Sequence, residues 1–199
     1  LKHLARFLLL FESVKAKGSF LDNKRVIVTA APHQSGKDEY LMILMILALD
    51  IHVCYLSAKW TMRRIPFPFI KTKDIDNQGI PWPLGWLQEI VFRKFGAIPV
   101  DRKGNSGQYD SVVQELLNRD NFLLIITPEG RFDATRFRSS FLYLAKELEA
   151  EVMPVQIDYE HDTLQFLESL NLDGSEAEVI QRLRSCFDGI KGRKSRFKA

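Results

Sequence analysis

His33 and Asp38 stand in the stretch "AAPHQSGKDEY" with four residues between them, directly behind the apolar run "RVIVTAA". A histidine acting as a general base needs a carboxylate to hold its tautomer and to stabilise the imidazolium that forms. One strand-to-helix turn can supply both, and in open α/β sheets such turns at the carboxyl ends of strands are where ligands bind. The same residues also suit a capping turn, with Ser35 or Asp38 serving a helix N-terminus and His33 exposed. A phosphate loop is a poorer fit. It requires G-x-x-x-x-G-K-[ST], and the chain has Ala31 and Asp38 at the first and last anchors; a carboxylate at the last would face the phosphates.

Three further stretches follow in order, the first two ending in charged residues that can bind ions or form hydrogen bonds. "FGAIPVDRKG" carries Asp101 and Arg102, "LLIITPEGRF" carries Pro128, Glu129, Gly130 and Arg131, and "EVMPVQI" contains Pro154 within a strand-like run. The four histidines form no metal-binding spacing, and Cys54 and Cys186 lie on separate elements. A metal site and a disulfide framework are therefore not expected, and a reducing compartment is.

Residues 1–17 place Leu1, Leu4, Leu8 and Phe11 at helical spacing among basic residues and predict an amphipathic helix. Strands are expected at "KRVIVTAA", "HVCYLSAK", "AIPV", "NFLLIIT" and "EVMPVQIDY". Helices are expected at "EYLMILMILALD", "LGWLQEIVFRKF", "YDSVVQELLNR", "TRFRSSFLYLAKELEA" and "SEAEVIQRLRSCFDGI". This alternation predicts an α/β fold, a single domain over 1–199 with a mixed, mostly parallel sheet flanked by helices.

Residues 60–86 depart from that rhythm. They hold all three tryptophans and half of the eight prolines, so an irregular excursion is expected. Residues 191–199, "KGRKSRFKA", form a basic tail in a chain whose net charge is only +3. No apolar run approaches the roughly 20 residues that span a bilayer. The chain begins with Leu, which leaves room for an upstream anchoring segment.

In order, HQSGKD, GAIPVDR, TPEGRF and the MPV strand resemble the four blocks of the glycerolipid acyltransferases, H-x-x-x-x-D, G-x-I-P-V-D-R, F-P-E-G-T-R and V-P-V, over about residues 26–158. The third block differs in residue order, and Pro32 stands where the family often has Asn. The resemblance implies transfer of a fatty acyl group from acyl-CoA or an acyl carrier protein, as co-substrate and without a cofactor, to a hydroxyl of a lysophospholipid such as lysophosphatidic acid. It implies His33 as general base and Asp38 as its orienter. Arg102, Glu129, Gly130 and Arg131 are the implied substrate-binding residues, and Ser35 is read as a helix cap. Peripheral contact with a membrane from the cytoplasmic side is expected through helix 1–17, the aromatics Trp60, Phe67, Phe69, Trp82 and Trp86, and the basic tail; nucleic acid is not an expected partner. The alternatives are an acyltransferase for another alcohol acceptor, or a non-catalytic lipid-binding module of the same fold.

Overall fold

The computed structural model describes residues 2–12, 14–17, 25–34, 37, 38, 40–42, 44, 53–65, 80–94, 96–100, 107–130 and 136–193. In chain order the elements are α1 (Lys2–Glu12), β1 (Lys15–Lys17), β2 (Arg25–Ala31), β3 (Val53–Ala58), a 3-10 turn (Lys59–Met62), β4 (Arg64–Ile65), β5 (Ile80–Pro81), α2 (Gly85–Lys94), β6 (Ala97–Val100), α3 (Gly107–Leu117), β7 (Phe122–Ile126), α4 (Ser140–Glu147), β8 (Glu151–Asp158), β9 (Thr163–Phe166) and α5 (Glu176–Ser185). Residues 37, 38, 40–42 and 44 are also helical. The chain divides into two compact units, Leu1–His52 with Asp120–Ala199, and Val53–Arg119.

The first unit is built on strands in the order β1-β9-β8-β2-β7. Only β8 and β9 run antiparallel; β1 with β9, β8 with β2, and β2 with β7 are parallel. The α/β class and the mixed, mostly parallel sheet read from the sequence are therefore found. Strand β2 is hydrogen-bonded on both sides and buried from Val26 to Ala31, which explains why its sequence is a continuous apolar run instead of an alternating one. Pro154 lies mid-strand in β8, between β2 and β9, yet the strand runs unbroken from Glu151 to Asp158. Its carbonyl still accepts from the N–H of Leu167 at 3.0 Å.

Two sequence expectations are corrected here. The predicted helix over 1–17 ends at Glu12, and Lys15–Lys17 form a strand paired in parallel with Thr163–Gln165. Backbone pairing to the edge of the sheet overrides the weak local preference of "KAK". Ala5 of α1 is buried against Leu44, with Leu8 packed on the pair, so this part of the helix covers the unit's own core. The helix predicted from Thr135 begins only at Ser140. The preceding chain is drawn back instead, the N–H of Arg138 donating to the carbonyl of Pro128 at 2.8 Å. At the other end of the unit, α5 starts with a reciprocal capping box between Ser175 and Glu178, which satisfies two otherwise orphaned backbone donors.

The second unit pairs β3 with β6 in parallel and β4 with β5 in a short antiparallel ladder. That ladder and the 3-10 turn give the Trp60–Trp86 excursion its described structure; residues 66–79, with Phe67 and Phe69, lie outside the described residues. The two tryptophans flanking the start of α2 have different surroundings. The Trp82 indole N–H donates to Gln88 Oε1 at 2.7 Å, whereas Trp86 is 56% exposed, beside exposed Leu84, Leu87, Ile90 and Val91.

Candidate active site

The site follows from the register of three neighbouring parallel strands. Thr29 of β2 pairs with Ile126 of β7 and with Pro154 of β8, so the carboxyl ends of all three strands emerge along one edge. Just past these ends the chain places His33 after β2, Glu129 after β7 and Tyr159 after β8. Strand β2 leaves through the cis Ala31–Pro32 peptide, and Asp38 lies on the helical residues that follow.

His33 and Asp38 are both buried, at 6% and 1% exposure. His33 Nδ1 lies 3.8 Å from Asp38 Oδ2. That is within ion-pair reach and longer than a hydrogen bond, as is common for reacting pairs in the absence of substrate. Asp38 is held by donors from its own turn and from the end of β8. The N–H of Gln34 donates to Oδ2 at 2.7 Å, and the Tyr159 hydroxyl donates to Oδ1 at 2.5 Å. A buried carboxylate requires such donors in place of water.

Glu129 is buried as well, and its two carboxylate oxygens share the backbone N–H of His33, at 3.2 and 3.0 Å. Burial pushes the Glu129 carboxyl above its ordinary range; the His33 N–H and the His33 side chain oppose that, and the Asp38 carboxylate adds to it. Gly130 follows with φ +70°, its N–H bonded to the carbonyl of Thr127 at 2.9 Å. A Cβ at Gly130 would stand 3.0 Å from Nε of Arg138, whose side chain lies over this turn.

The structure therefore brings together His33, Asp38, Glu129 and Gly130 from the residues singled out in the sequence. Arg102 and Arg131, as well as Ser35, lie outside the described residues. Sequence reading missed Tyr159, which carries no motif; its only signal is its position immediately after the strand next to β2. The capping-turn reading of His33 as an exposed residue does not hold, because His33 is buried.

A second histidine–carboxylate pair exists in the β8–β9 turn, where His161 Nδ1 lies 2.7 Å from Asp158 Oδ2. Burial works to raise the Asp158 carboxyl, but the His161 ring and the backbone N–H groups of Glu160 and His161 outweigh it and hold it below the ordinary range. His161 is 68% exposed, and Asp158 Oδ1 is occupied by the N–H of Glu160 at 2.8 Å. This carboxylate organises a tight turn, and its histidine faces solvent. Among the described residues no group of three or more His, Cys, Asp or Glu is placed to hold a metal ion, and no helix is long and apolar enough to cross a membrane.

Residues 83–158 match the family model described as Acyltransferase, the family that contains the glycerolipid acyltransferases. The matched segment spans the second, third and fourth blocks, and the His33–Asp38 block precedes it. No match was found among curated proteins. The family resemblance read from the ordered blocks is thus borne out, and the match supports an acyltransferase.

Proposed function

We propose that this chain, whose residues 83–158 carry the Acyltransferase match, transfers a fatty acyl group from a thioester, acyl-CoA or acyl carrier protein, to a hydroxyl of a glycerolipid acceptor such as lysophosphatidic acid. The observation that carries the reading is the buried His33–Asp38 pair at the ends of three parallel strands, with each carboxylate oxygen of Asp38 engaged by its own donor. An imidazole beside a carboxylate, set at the carboxyl edge of a sheet, is equipped to remove a proton from an incoming alcohol.

In this reading Asp38 lies on the Nδ1 side of His33, which leaves Nε2 as the base. Nε2 takes the acceptor's hydroxyl proton as the oxygen attacks the thioester carbonyl, forming a C–O bond and a tetrahedral oxyanion. Collapse breaks the C–S bond, and the proton held on His33 goes to the departing thiolate. Asp38 stabilises the imidazolium in between. No acyl-enzyme intermediate is formed. The N–H groups of His33 and Gln34 are engaged by Glu129 and Asp38, so the donors to the oxyanion come from elsewhere in the site.

Glu129 holds the histidine turn from below, and Gly130 permits the sharp exit from β7 that puts Glu129 there. Arg102 binds the acceptor phosphate, since a guanidinium fork matches two phosphate oxygens, and Arg131 is a further substrate-binding residue. The acceptor has one acyl tail and partitions into bilayers, so the protein works peripherally at the cytoplasmic face of a membrane. The exposed apolar side chains of α2, with Trp86 at their centre, support that contact.

The test is mass spectrometry of products after incubating the purified protein with acyl-CoA and acyl carrier protein donors and a panel of lysophospholipids and other alcohols. A diacylated phospholipid product supports the reading. Acylation of a non-phosphorylated alcohol alone moves the acceptor class, and no product from any pair contradicts the reading.

A further inference from the structure

We propose that Tyr159 is a positioning residue for the His33–Asp38 pair and that the segment Cys186–Gly192 braces it in place. The inference rests on the reading of His33 as general base. Of the donors described on Asp38, the Gln34 N–H belongs to the same turn. Tyr159 reaches it across 121 residues of chain. Its bond has the length of a charge-assisted O–H···O⁻ contact. It acts on Oδ1, while Oδ2 is the oxygen nearest Nδ1 of His33, so the tyrosine fixes the rotation of the carboxylate that decides how Oδ2 meets the imidazole.

Tyr159 is itself held. Its backbone N–H donates to the carbonyl of Lys191 at 3.0 Å. The chain leading there is tied down by Gln156 Nε2 donating to the carbonyl of Cys186 at 2.6 Å, and by Lys191 Nζ pairing with Glu160 at 2.6 Å. Gly192, the next residue, is buried so closely against Gln34 that a Cβ there would stand 2.4 Å from its Oε1. One segment therefore touches Tyr159 and Gln34, each of which supplies a donor to Asp38. Around Asp38 stand His33 on its own turn, Glu129 from the end of β7 and Tyr159 from the end of β8, while Lys37 is engaged by Glu12 at 2.5 Å.

Removing the Tyr159 hydroxyl takes a donor from the carboxylate and loosens the rotation that sets how Oδ2 meets Nδ1 of His33. Tyr159→Phe is expected to lower kcat on the order of tenfold, as loss of an outer hydrogen-bond partner does. The KM for either substrate should stay unchanged. The ring nitrogen NMR shifts of His33 at a fixed pH, assigned with His33→Asn, report how the carboxylate meets the imidazole and should change in Tyr159→Phe. Gln156→Leu, which removes the tie to the Cys186 carbonyl, should change them in the same direction by a smaller amount. The NMR readout needs no turnover: if the wild-type protein transfers no acyl group, the functional reading falls while the ring shifts still decide this one. A Tyr159→Phe protein with unchanged kcat and unchanged His33 ring shifts, even if less stable to heat, overturns the positioning role. Unchanged ring shifts in Gln156→Leu overturn the brace.

Discussion

Across 96 residues of sequence, the backbone N–H of His33 is shared by both carboxylate oxygens of Glu129. The third sequence block thereby grips the first, which explains physically why a glutamate is wanted at the end of β7. Glu129→Ala should remove that acceptor from the buried N–H and loosen the turn, lowering kcat about tenfold or more. Glu129→Gln, which keeps one acceptor oxygen, should lose less. Steady-state kinetics on both variants check the order.

The same glutamate predicts a pH effect on stability. Its carboxyl is raised by burial, so the folded state holds the proton to higher pH than the unfolded chain does. The contribution is full below the ordinary carboxylate range and is lost as pH rises through the elevated folded value. Urea unfolding across this window should show wild-type stability falling relative to Glu129→Gln, and parallel curves would contradict the assignment.

At Gly130 the backbone φ of +70° favours glycine. Gly130→Ala should cost about 1–2 kcal/mol in chemical denaturation, the usual penalty for a left-handed non-glycine residue. The Arg138 side chain can shift to admit the methyl group, so strain and not space sets the cost.

Arg102→Ala should raise the KM for a phosphate-bearing acceptor and spare that for the thioester, because uniform binding is lost without a change at the reacting atoms. Varying each substrate in turn separates the two. A rise confined to the donor KM would move Arg102 to the donor site.

Membrane contact is expected to centre on α2. Co-sedimentation with anionic vesicles should fall in a folded Trp86→Ala/Ile90→Ala protein and should fall less in Trp82→Ala, since the Trp82 indole is bonded to Gln88. Added salt should weaken binding by screening its electrostatic part.

Much of this was legible in the sequence, for reasons that differ by element. Strand β2 announced itself because a doubly paired parallel strand must be apolar throughout, and His33 and Asp38 because four residues are enough to turn from a strand into a helix. Strands β1 and β9 escaped, since three or four residues carry too little pattern and "KAK" is a strand only because Thr163–Gln165 lies beside it. Tyr159 escaped for a related reason. Its role depends on β8 lying next to β2, a fact of topology that no local spacing encodes.

The central claim, that His33 removes the acceptor's proton, is tested most directly by the single-turnover rate of acyl transfer in wild type, His33→Ala and His161→Ala, each verified as folded by circular dichroism. The account predicts a loss of about a hundredfold or more for His33→Ala and a near wild-type rate for His161→Ala, whose exposed pair serves a turn. A His33→Ala protein that transfers the acyl group at the wild-type rate would contradict it.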